Sequence, residues 1–405
     1  MKKYVFLPVF VIFSMCLLAL TVSAAELEIN TDFPGGNIIV DSINGDTIRV
    51  RPDLRDSRDW FYYAFRVKNG EGRTLRFVFD ADNRVGARGP AISSDEGKTW
   101  RYLSEKPGHS SREFTCTLGS DEKSVIFAQA ILYTQRNWEE FVAPLKENEN
   151  VTLGTLCKSR KGREVEMMRI GAENKDAKFA VVFTCRHHCC EMTASFAMEG
   201  IISTVLSDTP EGKWLRENAT FLFVPFIDKD GVEDGDQGKG RKPHDHNRDY
   251  NHELYPEIKY LKAYTVENFS DKPLFFMDLH CPWIRYGMNE YLYSPMPKRK
   301  EMQVAVTEFY KIFEKYQEGA EIPYKEAWNL PFGKDWNNEK NYYIMENGIL
   351  TSSSKTFFGD LPNAILAGTI EIPYSNSSDV EVTPKNVREL GNNLGKTLAE
   401  YLKSK

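Results

Sequence analysis

The sequence predicts an α/β domain, a mixed and largely parallel central sheet flanked by helices, preceded by an all-β sandwich domain. Two contrasts predict it. Before about residue 145, alternating or aromatic runs are separated by Gly, Asp and Asn turns, the pattern of short antiparallel strands. Beyond the charged connection "KENEN", apolar strands alternate with amphipathic helical stretches, and that alternation needs a largely parallel sheet. A third feature concerns chemistry: six of the seven histidines lie between residues 187 and 280.

Residues 1–24 read as a secretory signal. Lys2 and Lys3 precede the apolar stretch "VFLPVFVIFSMCLLALTV", and the small residues "SAA" suit cleavage near Ala24 or Ala25, so the mature chain is expected in the periplasm or outside the cell. Cys16, in "FSMC", lacks a good lipobox, which leaves a lipid anchor as the second reading. No other run approaches the ~20 apolar residues that span a bilayer. The 405-residue chain carries a formal charge of -6, and removing the two signal lysines takes it to -8. Neither nucleic acid nor, after cleavage, an anionic membrane is an expected partner.

Residues 25–145 form the expected sandwich, from the runs "NIIVDSI", "DTIRVRP", "WFYYAFRV", "TLRFVFDA" and "SVIFAQAILY". This half shows no catalytic cluster. In residues 146–405 the expected strands are "VTLGTLC", "EVEMMRI", "KFAVVFTCR", "ATFLFVPFI", "PLFFMDLHC" and "AGTIEIPYS". The expected helices are "EMTASFAMEGIISTVL", "HELYPEIKYLKAYTVE", "KEMQVAVTEFYKIFEKY" and "PKNVRELGNNLGKTLAEYLKS". Chemistry in such sheets sits beyond the carboxyl ends of the strands.

One strand ends in "FTCRHHCCE". Successive strand side chains point to opposite faces, so His187 and His188 cannot both address one metal while the strand continues. If the strand ends at His188 and a helix begins near Glu191, a turn brings those two together as an H-x-x-E pair. His280, at the carboxyl end of "PLFFMDLHC", supplies a third ligand, and a His2Glu site with an open position for water is a catalytic zinc site. Glu371 stands within the apolar strand "AGTIEIPYS", where a charge is costly unless paired or functional. It is the candidate general base; an outward-facing strand residue is the other reading.

In this order and setting, the residues resemble the zinc carboxypeptidase family of carboxypeptidase A type. The family pattern of H-x-x-E, an N-x-D-G turn, an N-R pair, a later strand-end His and a T-x-E strand is similar to His188 and Glu191, "FIDKDGV", "HNRDY", His280 and "TIE". The β domain resembles that of the cytosolic carboxypeptidase subgroup, through "WFYYAFRV" and "AILYTQRNW". The resemblance implies one Zn2+ held by His188, Glu191 and His280, and a water activated by Glu371 for attack on a C-terminal peptide or isopeptide bond. It further implies that Asn247 and Arg248 bind the substrate's free C-terminal carboxylate, for which a planar guanidinium is suited. The resemblance also implies an arginine upstream of that pair that stabilises the oxyanion. Ungapped register puts Gly238 there, and Arg241 is the nearest candidate.

Two departures stand out. The tyrosine that the family carries before its catalytic Glu is missing from "ILTSSSKTFFGDLPNAILAGTIE", leaving Tyr342 or Tyr343 to reach in. Cys189 and Cys190 replace Pro-Gly, and three readings stay open for them: zinc ligands, disulfides with Cys185 or Cys281, or small buried residues. His244, His246 and His252 surround the N-R pair as loop residues, substrate contacts or a second metal site. Two rival functions stay open beside the peptidase: a zinc amidase or esterase on a non-peptide acyl substrate, and a catalytically silent peptide- or glycan-binding homologue.

Overall fold

A computed structural model describes residues 1–2, 26–103, 112–171 and 176–405. The apolar stretch of the expected signal lies outside the described residues. Among the described residues, no helix is long and apolar enough to cross a membrane.

The N-terminal strands are β1 (Glu28–Asn30), β2 (Ile39–Asn44), β3 (Thr47–Arg51), β4 (Ala64–Lys68), β5 (Thr74–Phe79), β6 (Ala91–Ser93), β7 (Arg101–Tyr102), β8 (Glu113–Thr117) and β9 (Ser124–Ala128). They form a five-stranded sheet in the order β1-β4-β9-β6-β7 and a four-stranded sheet in the order β2-β3-β5-β8. Alternation decides which side chains face inward: in β3, Ile48 and Val50 are buried while Arg49 and Arg51 are exposed. Phe65, Phe77, Phe114 and Phe127 fill the space between the sheets, with ring centroids 4.9–5.6 Å apart. Helix Gln135–Val142 follows, started by a Thr134/Asn137 capping box and anchored by buried Trp138.

The second sheet has six strands: β10 (Val151–Lys158), β11 (Glu164–Ile170), β12 (Phe179–Cys185), β13 (Ala219–Val224), β14 (Leu274–His280) and, after the hairpin β15 (Met345–Glu346)/β16 (Ile349–Leu350), β17 (Ala364–Glu371). Their order is β10-β11-β13-β12-β14-β17, with β13, β12, β14 and β17 mutually parallel and β10 and β11 antiparallel. Every residue of β12, β13 and β14 is buried because helices cover both faces. Val181, Phe183, Phe275 and Met277 meet helices Thr193–Leu206, Lys300–Gln317 and Pro384–Lys403 on one face. Ala180, Val182, Leu222 and Phe276 meet Pro256–Phe269 and Ser354–Asp360 on the other. Gly200 and Gly391 let two of the first-face helices touch backbone to backbone, since a Cβ at either position would collide with the opposite main chain.

Several short helices, Pro210–Asn218 and Ser354–Asp360 among them, were not among the expected elements. The first is opened by Thr209, whose side chain accepts from Gly212 N, with Pro at N1.

Candidate metal centre and active-site cavity

β12 stops because Arg186 takes the left-handed region, φ 64°. Its buried guanidinium donates to the carbonyls of Tyr133 (2.8 Å) and Cys189 (2.8 Å), which pins the reversal from beneath. The turn then separates the two histidines. His187 bridges Asp278 Oδ1 (2.9 Å) and Tyr250 Oη (2.8 Å), whereas His188 meets Glu191, whose N–H returns to the His188 carbonyl at 3.1 Å. The third strand end is adjacent: β12 pairs with β14 and β14 with β17, in a register that sets His280 beside Glu371. Three parallel strands thus deliver their chemistry to one edge of the sheet.

His188 Nδ1 lies 2.7 Å from Glu191 Oε1, and His280 Nδ1 lies 2.7 Å from Glu191 Oε2. One donor atom from each residue falls within 4.8 Å of the others, a set that fits a zinc ion: two imidazole nitrogens and one carboxylate. Further out, His280 Nε2 meets Asp278 Oδ2 at 2.7 Å, and His188 Nε2 is 3.6 Å from Asp245 Oδ1. Carboxylates in that outer position fix the tautomer that leaves Nδ1 facing a metal. His187, Asp278 and His280 also lie close enough to share an ion. All three residues of the first set line a cavity of about 250 Å³, with room for water and substrate, whereas of the second set His280 alone is on its wall.

Burial opposes every charge here, and the neighbours decide the outcome. Burial would raise Glu191, but the imidazoles of His188 and His280 hold it well below the usual carboxylate range. Burial would lower His280, but Asp278 and Glu191 raise it well above its ordinary value. Glu371 is raised, first by burial and then by the charge of Glu191, with His280 and Lys239 opposing. A carboxyl with a raised pKa beside a metal centre is suited to accept and return a proton.

Asn247 and Arg248 reach the cavity from the short turn His246–Arg248. Arg248 Nε donates to Asn341 O (2.8 Å) and one Nη to Asn247 O (2.8 Å), and the guanidinium carbon lies 5.0 Å from the Tyr342 ring centroid. His188, Glu191, His280, Glu371, Asn247 and Arg248 are therefore brought together. Arg241 is not. Its guanidinium is held by Asp228 and Asp236, each at 3.0 Å, outside the cavity wall. Lys239 takes the wall position instead, its Nζ 3.2 Å from His188 Nε2, on a loop reversed by left-handed Gly238 and Gly240.

Tyr342 lines the cavity and donates its hydroxyl to Asn337 Oδ1 (3.0 Å); Tyr343 borders a neighbouring groove. The sequence reading missed Tyr293, whose backbone brackets Glu371, accepting from its N–H at 2.8 Å. It missed Lys355, whose ammonium reaches Pro295 O at 2.9 Å and borders the cavity. It also missed Arg58 and Trp60, through which the N-terminal region forms part of the wall, with Trp60 edge-on to Trp283 at 4.5 Å. All six described cysteines are free and buried, and none belongs to a metal-donor cluster. The disulfide and ligand readings therefore fall, and Cys189 instead donates to Asp236 O at 3.0 Å beneath the site.

Residues 139–281 match the family model described as zinc carboxypeptidase. Cytosolic carboxypeptidase 2 of Danio rerio is 30% identical over 271 residues, 58% of this chain and 37% of the relative. Cytosolic carboxypeptidase 6 of Homo sapiens is 24% identical over 388 residues, 87% of this chain and 73% of the relative. The chain thus spans well under half the length of the first of these relatives. Among solved structures, a metallo-carboxypeptidase from Burkholderia cenocepacia superposes with a TM-score of 0.76 at 17% identity, covering 94% of this chain and all of that one. A metallo-carboxypeptidase from Pseudomonas aeruginosa, in complex with (2-guanidinoethylmercapto)succinic acid, gives 0.71 at 20% identity over 93% of this chain and 99% of that one. The carboxypeptidase fold is shared with these two solved structures.

Proposed function

We propose that this chain is a zinc metallocarboxypeptidase that hydrolyses the C-terminal bond of peptides or isopeptides bearing a free carboxylate. The observation that carries the reading is the convergence of His188, Glu191 and His280 on a cavity that also holds Glu371 and Arg248. Zinc held by the three donors supplies Lewis acidity and lowers the pKa of water to about 7. Glu371 takes a proton from the attacking water and returns it to the leaving amine, a role that a buried carboxyl of raised pKa performs well. Arg248 and Asn247 hold the terminal carboxylate, and Lys239 is the cation nearest the developing oxyanion. Lys355, on the same wall, suits an acidic side chain at the C-terminal position.

The partition into a sandwich at 25–145 and a catalytic domain at 146–405 belongs to this proposal. So does export, supported by the lysines, apolar run and small residues at the start of the sequence; N-terminal sequencing of chain recovered from cell fractions tests it. The activity is tested with paired peptides, free and amidated at the C-terminus. Free peptides are cleaved and amidated ones are not, and Arg248→Gln raises KM for the free set. Equal cleavage of both sets points to an amidase or esterase, and zinc-loaded protein that cleaves neither points to a silent binding homologue.

A further inference from the structure

On the far side of the Asn247–Arg248 turn lies a second group of donors. We infer that His244, His252 and Glu346 form a second divalent-cation site, structural in role and of zinc type. One ring nitrogen of each histidine and a carboxylate oxygen of Glu346 lie within 4.8 Å of one another. The two rings sit 4.6 Å apart, centroid to centroid, tilted at 46°, so their faces do not stack flat. The residues come from three places in the chain: the loop before the turn, the loop after it, and strand β15 of the hairpin.

The surroundings set the tautomers as a metal needs them. His244 Nδ1 meets Glu346 Oε2, and its Nε2 is 2.7 Å from Asp249 Oδ1. Asp249 is itself fixed by the N–H groups of Leu254 (2.9 Å) and Tyr255 (2.8 Å). That is a carboxylate–histidine pair aimed outward from the group, as in the outer shell of zinc sites. His252 donates through Nε2 to the Glu346 carbonyl at 3.3 Å, which leaves the lone pair on Nδ1. That Nδ1 is buried and has no hydrogen-bond partner among the described residues, a cost that a bound cation removes. Two imidazoles and one carboxylate, completed by water, make a nitrogen-rich set that selects zinc, cobalt or nickel over magnesium or calcium.

The site joins the hairpin to the loop that carries Arg248. The same seam is stitched by Asn251 Nδ2 to Leu350 O (2.8 Å) and by Arg248 Nε to Asn341 O (2.8 Å). A cation there clips the segment that forms the Tyr342 wall onto the substrate-carboxylate turn. The inference stands on its own donors and does not depend on how the first site is used.

The test is metal stoichiometry on the full chain, stripped with chelator, reloaded with zinc and desalted. Wild type retains two equivalents; His252→Asn and Glu346→Gln each retain one; His188→Asn retains one; His188→Asn with His252→Asn retains none. A readout independent of the first site is proteolysis of residues 341–352, which zinc slows in His188→Asn and leaves unchanged in the double variant. One equivalent in wild type that His188→Asn removes and that both His252→Asn and Glu346→Gln leave in place overturns the inference. So do two equivalents that survive both His252→Asn and Glu346→Gln. Two conservative variants on different elements guard against a fold defect in either one.

Discussion

Asp278 offers the sharpest perturbation of the metal centre that leaves every proposed ligand in place. It is fully buried, and its two oxygens accept from four groups: Thr184 Oγ1 (2.8 Å) and His187 Nδ1 (2.9 Å) on one side, His280 Nε2 (2.7 Å) and Ser354 Oγ (2.7 Å) on the other. Burial alone would raise its pKa, but His187 and His280 hold it well below the usual range. Asp278→Asn keeps the shape and removes the charge. In one amide orientation the NH2 also faces His280, pushing its ring proton onto Nδ1 and into the metal position. Loss of such an outer partner costs about 10- to 100-fold in metal affinity, or roughly 1.4–2.7 kcal/mol. The assay is zinc affinity by chelator competition, with circular dichroism and thermal unfolding run beside it. The unfolding control is needed because a mismatched buried polar group costs about 1–3 kcal/mol of stability. A folded Asp278→Asn protein with zinc affinity within twofold of wild type would refute the outer-shell role.

Two further outcomes follow from the charges around the cavity. His280 is raised well above its ordinary value, burial notwithstanding, by Asp278 and Glu191, so zinc must displace a proton held below that raised value. Zinc affinity therefore rises with pH until His280 is neutral without help, and calorimetry in buffers of different ionisation enthalpy detects the released proton; a pH-independent affinity with no release contradicts it. Lys355 is pushed down to about 7 by burial, with Arg248 adding to that and Glu371 opposing. It is charged below that pH, so kcat/KM for peptides ending in an acidic residue, relative to a neutral one, falls as pH rises through about 7, and Lys355→Met flattens the ratio. A ratio that ignores both pH and the substitution removes Lys355 from the specificity wall.

The six-stranded sheet and the proposed metal donors were legible because each rests on a local pattern. An apolar run of strand length followed by H-x-x-E, another ending in His280, and a glutamate inside an apolar strand are all visible without knowledge of neighbours. The oxyanion candidate was not legible. Lys239 and Arg241 are two cations two positions apart in a Gly-rich loop, and only the fold brings Asp228 and Asp236 together to capture the arginine. Lys355, in "SSSKTFF", reads like any lysine at the start of a surface helix until the helix is seen to pack against the sheet behind the cavity. Arg58 and Trp60 belong to a region without catalytic signals of its own, and reach the site only because the two regions pack. Thr209 with Pro at N1 is a readable helix start, although the helix it opens is only nine residues long.

The most direct test of the hydrolytic account is Glu371→Gln, read by zinc content and turnover on the same preparation. Glu371 lies beside the proposed metal ligands and is assigned only the proton transfer. The variant should keep its zinc, bind free-carboxylate peptides normally, and lose about 100- to 10,000-fold in kcat, the usual contribution of a positioned general base. A variant that keeps zinc and turns over within tenfold of wild type would contradict the role given to Glu371 and the mechanism built on it.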